Sequence, residues 1–160
     1  MWDFDKYQSN IAVKDELGTT LTYGELHREN DKLFEVINRR CLAFCLCTNS
    51  IGSIVGYTAF IQNGITSVLL NAHLEKELLN NLLNGYYPSY LWVPNEQVCE
   101  FKNVEAIYSA YEYTLLKTSY DKEYALYSEL CLMLTTSGST GSPKFVRQSY
   151  KNVLTNAQSI

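Results

Sequence analysis

Apolar runs alternate with segments of helical periodicity along most of the chain. Residues 41–47 are apolar throughout, which is typical of a parallel strand covered on both faces. The pattern predicts a helix over Ile51–Gln62, with capping residues in Thr48–Ser50 before it and Asn63–Gly64 at its end. A β-branched and leucine-rich strand follows at Thr66–Leu70. These residues predict a strand–helix–strand unit.

Leucines at helical spacing predict the next helix, which we expect to stop at Asn84–Gly85. The leucines are Leu74, Leu78, Leu79, Leu82 and Leu83. Tyr90–Val93 then forms a third strand, closed by Pro94. Three strands joined by two helices at this spacing indicate right-handed crossovers in a parallel sheet. We therefore predict an α/β fold, with a mostly parallel sheet in a three-layer αβα arrangement.

A capping box marks an earlier helix. The Thr22 hydroxyl can accept from the amide three residues on, and Glu25 can reach back to Thr22, so the helix begins at Tyr23. Leu21 and Leu26 occupy the positions of a hydrophobic staple. The apolar positions that share one helix face are Leu26, Leu33, Phe34 and Ile37.

The second half of the chain is richer in strand patterns. Val104–Thr118 predicts one or two strands near a sheet edge, with its tyrosines in cross-strand packing, and Ser119–Glu129 is a polar loop. Leu130–Leu134 predicts a buried strand, and Lys144–Gln148 a second extended segment. The residues from Tyr150 onward begin like a helix.

Length and charge restrict the function. The 160 residues match one domain or one large subdomain. Thirteen Lys and Arg stand against seventeen Asp and Glu, a net charge of −4, and no basic run is longer than Arg39–Arg40, so a nucleic-acid partner is not expected. The N-terminus lacks a signal pattern, and no apolar run approaches the ~20 residues that span a bilayer. We expect a soluble, cytoplasmic protein.

The cysteines and histidines predict no metal centre. Cys41, Cys45 and Cys47 lie in the apolar run 41–47, where we expect buried reduced thiols that pack as small hydrophobic groups. His27 and His73 are remote from one another and from any Cys-x-x-Cys pair, so zinc is not expected. His27 is interpreted as a solvated surface residue.

Residues 136–144 form the segment that carries chemistry. Gly138 and Gly141 allow backbone N–H groups to converge on an anion, and Lys144 adds a cation suited to a phosphate. The segment also supplies several hydroxyl donors. It is not the common P-loop, because Pro143 stands where the second glycine belongs and Phe145 replaces the hydroxyl that would hold Mg²⁺. This argues against an ordinary P-loop kinase or GTPase.

The nine residues Thr136–Lys144 resemble the T-S-G-[ST]-T-G-x-P-K signature of the AMP-forming adenylate ligases, a family that includes acyl-CoA synthetases, peptide-synthetase adenylation domains and luciferases. All nine positions fit. Leu21–Leu26 and Asn63–Leu70 resemble two weaker upstream motifs of that family, in the expected order. Phe145 and Tyr150 depart from the pattern that normally follows the signature.

The resemblance implies that residues 1–160 are the N-terminal subdomain of such a ligase, ending shortly after the phosphate loop. It implies that the loop holds the β and γ phosphates of ATP. It also implies that Lys144 is catalytic, because its positive charge would stabilise the negative charge on the departing pyrophosphate. The residues carried over to the phosphate site are Thr136, Ser137, Gly138, Ser139, Thr140, Gly141 and Lys144.

The implied reaction joins a carboxylic acid to ATP, giving an acyl adenylate and pyrophosphate, followed by transfer to coenzyme A or a carrier-protein thiol. The Mg²⁺ ligands of the family would lie outside this chain, so residues 1–160 alone are predicted to be inactive. The alternative is a non-catalytic nucleotide-binding or interaction module derived from the same family. The acyl substrate and the thiol acceptor are not encoded in these residues.

Overall fold

The computed structural model describes residues 3–16, 18–120, 122, 124–135 and 145–159, and it places nine strands and four α-helices in that part of the chain. The strands are β1 (Ile11–Lys14), β2 (Thr20–Thr22), β3 (Leu42–Cys47), β4 (Thr66–Asn71), β5 (Tyr90–Pro94), β6 (Val104–Ala110), β7 (Tyr113–Thr118), β8 (Leu130–Thr135) and β9 (Phe145–Ser149). The helices are α1 (Tyr23–Ile37), α2 (Ile51–Gln62), α3 (Lys76–Tyr86) and α4 (Tyr150–Gln158). Short 3₁₀ turns cover Asp5–Tyr7 and Asn95–Glu100.

Seven strands form one sheet in the order β6-β7-β5-β3-β4-β8-β9. The four central strands β5, β3, β4 and β8 are parallel, and Phe44 in β3 lies opposite both Val68 and Leu91. At the two edges, β7 pairs with β5, β6 with β7 and β9 with β8, all antiparallel. The predicted α/β class is confirmed, and the antiparallel pairs at its edges make the whole sheet mixed. Val104–Thr118, predicted to form one or two strands near a sheet edge, forms the two strands β6 and β7 at one edge.

Helices cover both faces of this sheet. Val55, Ala59 and Phe60 of α2 pack with α1 and with Cys45 and Trp92 on one face. On the opposite face, Leu82 and Leu83 of α3 pack against a separate cluster that contains Phe44 and Val68. Helix α4 lies on the α2 side, where Val153 packs with Ile61 and Leu132. The predicted three-layer αβα arrangement is therefore confirmed.

The capping box at the start of α1 is formed as predicted. The Thr22 amide donates to the Glu25 carboxylate at 2.8 Å, and the Glu25 amide donates to the Thr22 hydroxyl at 3.2 Å. These bonds satisfy two amides that the helix itself cannot pair. Leu21 and Leu26, the two staple positions, are buried.

Helix α2 approaches the sheet closely because it carries glycines where two aromatic rings lie. A Cβ on Gly52 would stand 2.3 Å from a ring carbon of Tyr113, and one on Gly56 would stand 2.2 Å from a ring carbon of Trp92. The Trp92 indole N–H donates to the Gly52 carbonyl at 2.8 Å. The glycines thus let a large aromatic pair sit directly beneath the helix.

The third helix extends one residue beyond its predicted stop at Asn84–Gly85. Helix α3 runs through Asn84–Gly85 to Tyr86, and its cap is Tyr87, in the left-handed region with φ 43°. Gly85 remains helical because a glycine inside a helix costs only about 1 kcal/mol relative to alanine. Pro88, which has no amide hydrogen to continue the helix, stands directly after the cap.

The β1–β2 hairpin was not predicted. It packs beside α1 rather than joining the main sheet, and Ile11 in β1 is 61% exposed. Its apolar run Ile11–Val13 and the alternation in β2 are only three residues long each, too short for hydrophobic patterning to identify a strand.

The Arg40 guanidinium joins several segments at the amino edge of the sheet, the edge at which the parallel strands begin. It donates to the carbonyls of Tyr127 and Leu130, at 2.9 Å each, and to the carbonyl of Gly64. It also donates to the Tyr150 hydroxyl at 3.4 Å. One side chain therefore ties the starts of β4, β8 and α4 to the start of β3.

Candidate functional site

The predicted phosphate segment joins two strands whose paired ends the structure describes. Thr135 at the end of β8 lies opposite Phe145 at the start of β9, in an antiparallel pair. The predicted site residues Thr136, Ser137, Gly138, Ser139, Thr140, Gly141 and Lys144 lie outside the described residues. The structure therefore locates the two anchors of the segment, and the contacts of these seven residues stay a prediction.

The anchors stand at the carboxyl edge of the sheet, next to β4. Leu134 in β8 lies beside Leu69 in β4, and the two strands run parallel, so Thr135 and Asn71 end at the same edge. In α/β sheets, ligands bind in the crevice outside the carboxyl ends of the strands. The segment 136–144 is thus attached at the edge where this class of fold holds its ligands.

A change of direction in the chain opens that edge. Strand β3 leads into α2 on one face, whereas β4 leads into α3 on the other face and then to β5, on the far side of β3. The connections after β3 and β4 therefore diverge and leave a crevice between their ends, which is the topological switch point of a doubly wound sheet. Strand β8, which carries Thr135, lies directly beside this point.

Phe145, one of the two departures from the family pattern, is an anchor for β9. Its ring meets that of Tyr86 edge-on, with the centroids 5.0 Å apart and the planes at 88°. It packs against the cluster beneath α3 that includes Met133. Tyr150, the other departure, begins α4 and contacts Arg40 at the opposite edge. The structure thus gives Phe145 a packing role and Tyr150 a hydrogen-bonding role.

A network of hydroxyl groups holds the start of α2 at the carboxyl edge. The Tyr113 hydroxyl donates to the Leu46 carbonyl at 3.0 Å and accepts from the Thr48 amide at 3.1 Å. It also lies 2.7 Å from the Ser53 hydroxyl and 2.9 Å from the Thr48 hydroxyl. The Ser50 hydroxyl caps α2 by accepting from the Ser53 amide at 3.4 Å. These hydrogen bonds join the end of β3, the start of α2 and the start of β7 at the carboxyl edge.

Sequence reasoning did not find this network. The sequence predicts cross-strand packing for Tyr113, and its ring does stack on Trp92, with the centroids 5.5 Å apart. Its hydroxyl reaches Thr48, 65 residues earlier in the chain. No local pattern connects residues at that separation, so only the sheet order reveals the contact.

The thiols of β3 are less uniform than predicted. Cys41 and Cys45 are buried as expected, but Cys47 at the carboxyl end of the strand is only half-buried, so the prediction is wrong for that residue. The Cys45 and Cys47 sulfurs are 3.5 Å apart. This thiol–thiol hydrogen bond lowers the pKa of Cys47, while the same bond and burial raise the pKa of Cys45. Of these two thiols, Cys47 at the carboxyl end of β3 therefore has the lower pKa.

Acidic ligands do not gather near the crevice within the described residues. Across the described ranges, no three His, Cys, Asp or Glu side chains come together as a metal site.

His27, predicted to be solvated, is half-exposed and has its Nδ1 3.2 Å from an Asp5 carboxylate oxygen. In the described part of the chain, no helix is long and apolar enough to cross a bilayer.

Comparison with known protein families supports the resemblance seen in the signature. The family model described as "AMP-binding enzyme" matches residues 2–160. Comparison with the curated proteins finds no match.

Several solved ligases share the fold. O-succinylbenzoate coenzyme A synthetase from Bacillus subtilis, in complex with AMP, is 21% identical with a TM-score of 0.71, covering 97% of this chain and 42% of that one. A structure of the same enzyme with ATP and a magnesium ion has a TM-score of 0.68. A malonyl-CoA ligase with methylmalonyl-CoA and AMP bound is 20% identical with a TM-score of 0.72, covering 95% of this chain and 32% of that one.

A fatty acyl-adenylate ligase from L. pneumophila, in complex with acyl adenylate and pyrophosphate, is 18% identical with a TM-score of 0.67. The match covers 91% of this chain and 28% of that one. The chain thus spans less than half the length of these solved ligases. At such identities, the likeness establishes a shared fold.

Proposed function

The chain belongs to the AMP-binding enzyme family, and from that membership we propose that it supplies the phosphate-binding part of an ATP-dependent ligase that forms acyl adenylates. In the proposed reaction, a carboxylate oxygen attacks the α phosphorus of ATP. The bond from that phosphorus to the oxygen of the β phosphate breaks, and pyrophosphate leaves. The thiol of coenzyme A or of a carrier protein then loses its proton and attacks the acyl carbonyl, and the bond from that carbonyl to AMP breaks, so that AMP leaves.

The observation that carries the proposal is the position of the nine-residue signature. Its anchors Thr135 and Phe145 stand at the carboxyl edge of a parallel sheet, beside the switch point between β3 and β4. In the proposal, the main-chain amides and hydroxyls of Thr136–Thr140 and Gly141 face the β and γ phosphates. Preorganised donors at that place would stabilise the charge of the departing pyrophosphate without needing to reorient.

Lys144 is proposed as the catalytic cation of this site. A lysine ammonium is a compact charge on a flexible stem, which suits a phosphate whose position shifts as the bond breaks. The half-buried Phe145 follows it and is fixed by Tyr86. That neighbour would limit how far the main chain at Lys144 can move.

The substrates of the solved ligases support the reaction class. The solved ligases bind AMP, ATP with magnesium, acyl adenylate with pyrophosphate, or a coenzyme A product. We propose ATP with Mg²⁺ as the nucleotide for this protein. The described residues contain no cluster of metal ligands, so the proposal assigns the Mg²⁺ ligands to groups outside them.

Exchange of labelled pyrophosphate into ATP tests the function. The whole polypeptide that contains these residues is assayed against a panel of aliphatic, aromatic and amino acids, with and without Mg²⁺, and residues 1–160 are assayed beside it. Exchange that depends on one class of carboxylic acid supports the ligase. Binding of ATP with no exchange for any acid would favour a non-catalytic nucleotide-binding module. Failure to bind ATP would refute both.

A further inference from the structure

Two thiols of β3 lie side by side on the face of the strand that α2 covers. The Cys45 and Cys47 sulfurs are 3.5 Å apart, and both side chains pack with the cluster that contains Val55 of α2. Cys45 is fully buried, whereas Cys47 is half-buried at the carboxyl end of the strand. We call this pair the β3 dithiol. Cys47 is the member of the pair that solvent reaches.

The strand holds the two cysteines too far apart for a disulfide. Residues two apart in a strand have their side chains on the same face, about 6.6 Å apart at ~3.3 Å per residue. A disulfide needs its two Cβ atoms at about 3.5–4.5 Å. Strand β3 pairs on both sides, with Cys45 opposite Leu69 in β4 and Trp92 in β5. Bending the strand enough to form the disulfide would therefore disrupt both ladders.

The same spacing suits two ligands of one metal ion. Thiolate sulfurs bind zinc, for example, at about 2.3 Å. An ion bonded at ~2.3 Å to two sulfurs that lie 3.5 Å apart would make a sulfur–metal–sulfur angle of roughly 100°, and rotation of the side chains would widen it. The β3 dithiol can thus hold an ion without any change in the main chain.

The number of ligands restricts the kind of ion. Within the described residues, no third His, Cys, Asp or Glu side chain joins the β3 dithiol. Structural zinc sites take four protein ligands, so two sulfurs match zinc poorly. Thiolates select soft cations, and Cu(I) is the soft ion among the first-row metals. The described residues therefore favour a monovalent soft cation that two sulfurs can hold.

Hydrogen bonds prepare Cys47 to bind a cation as its thiolate. The hydrogen bond between the two sulfurs lowers the pKa of Cys47, and a main-chain hydrogen bond at Leu70 lowers it further, while burial acts in the opposite direction. The bond between the sulfurs and burial raise the pKa of Cys45. Cys45 would therefore lose its proton only when a cation offsets the resulting charge.

We propose that Cys45 and Cys47 together bind one soft monovalent cation of the Cu(I) class. Two metal–sulfur bonds form, the two thiol protons pass to solvent, and no atom changes its oxidation state. The single charge of the ion offsets one of the two thiolate charges, so the site keeps one net negative charge. Because binding releases protons, the affinity should rise with pH.

This site is independent of the proposed nucleotide site. Strand β4 separates β3 from β8, the strand that leads into the phosphate segment. The β3 dithiol shares no residue with the set assigned to ATP. Binding of the cation should therefore be measurable without nucleotide, and failure of either proposal leaves the other standing.

The test is an anaerobic titration of residues 1–160 with Cu(I), in competition with a chromogenic Cu(I) chelator. We expect the chain to withdraw one ion from the chelator, with an affinity that rises with pH. Cys45→Ala and Cys47→Ala should each weaken binding by roughly 100-fold or more, the advantage that two linked ligands have over one. Cys99→Ala is the matched control, because it removes an exposed thiol and should leave the affinity unchanged.

Melting temperatures identify any variant that fails to fold. If Cys45→Ala does so, Cys47→Ser at the half-buried position carries the test, with the same loss of affinity expected. Wild-type affinity in a folded Cys45 or Cys47 variant would overturn the proposal, as would loss of binding in Cys99→Ala.

A second measurement tests the spacing of the two sulfurs. The folded chain is treated with an oxidised small-molecule disulfide, and mass spectrometry of unreduced peptides then detects any new cross-link. We expect no bond between Cys45 and Cys47. Such a bond would show that β3 does not hold the two sulfurs at the spacing of a metal site, and it would overturn the proposal.

Discussion

The Trp92 indole lies directly against Gly56, and a methyl group on that glycine would stand 2.2 Å from the ring. The ring cannot easily withdraw, because its N–H donates to the Gly52 carbonyl and its face stacks on Tyr113. The distance between α2 and β5 is therefore set by the absence of a side chain at one residue. The packing of the α2 layer against the sheet depends on that contact.

Gly56→Ala is expected to destabilise the protein although alanine favours helices. Forcing a methyl group into the ring costs about 1–3 kcal/mol of overpacking or more at so short a distance, against about 1 kcal/mol gained in helix propensity. Gly85→Ala is the matched control, because a Cβ there meets no atom within 4 Å in the same kind of helix. Denaturant unfolding should show a loss for Gly56→Ala and a gain of up to about 1 kcal/mol for Gly85→Ala. Equal effects of the two variants would contradict the packing argument.

Removing the cap of α1 should weaken the fold by a smaller amount. Thr22→Ala leaves the Glu25 amide without its acceptor and should cost about 0.5–2 kcal/mol. Thr22→Ser keeps the hydroxyl and should recover most of the loss. The midpoint of urea unfolding measures both variants, and a similar loss in the serine variant would show that the methyl group of Thr22, rather than its hydroxyl, matters.

The capping carboxylate also predicts the direction of a pH dependence. Hydrogen bonds from the main chain and side chain of Thr22 lower the pKa of Glu25 from its ordinary 4.5. The stabilisation by Glu25 is therefore fully present above the unfolded-state pKa and is lost as the pH falls through the lower folded-state pKa. Glu25→Gln should flatten the part of the stability profile that lies below the ordinary Glu25 pKa of 4.5. An unchanged profile in that variant would assign the acid loss to other carboxylates.

The five thiols should react with a labelling reagent in a defined order. Cys99 is exposed and should react first, followed by Cys47, which is half-buried and has a lowered pKa. Burial raises the pKa of Cys41 and of Cys131 to about 11, and Cys45 is fully buried, so these three should react only on unfolding. Mass spectrometry of the labelled peptides over time gives the order. Early labelling of Cys45 would show that β3 is not at the centre of the sheet.

Lys144→Ala tests the proposed catalytic role in the complete enzyme. Loss of one charge-stabilising group should slow adenylate formation by about 10- to 1000-fold. Thr140→Ala should have a smaller effect, because neutral hydrogen bonds are weaker than charge-assisted ones. Lys151→Ala, on the exposed side of α4, removes the same charge and should leave the rate unchanged. Wild-type activity in Lys144→Ala would remove its catalytic assignment.

Local signals in the sequence predicted the helices well. The bounds of α2 follow from the Ser50 cap and from Asn63–Gly64, and the start of α1 follows from the capping box, because each signal lies within a few residues of the end it sets. The order of the strands in the sheet does not follow from such local signals. Ser67 in β4 lies opposite Leu132 in β8, and hydrophobic periodicity carries no information on which distant strand will be the neighbour.

The candidate site is likewise only partly predictable from the sequence. The chemistry of residues 136–144 is readable from their types, since glycines, hydroxyls and a lysine together favour a phosphate. Their place beside the switch point depends on the pairing of β8 with β4, and the hydrogen bonds of the Tyr113 hydroxyl depend on the pairing of β7 beside β5. Both are properties of the assembled sheet, which no single segment specifies.

The hydrogen bonds of Arg40 also have a consequence for folding kinetics. They span 24, 87, 90 and 110 residues of sequence, so they can form only after β3, β4 and β8 have come together. Contacts that form after the transition state slow unfolding rather than accelerate folding. The hydrogen bonds at the amino edge would thus form late in folding. They would affect the unfolding rate of the chain more than its folding rate.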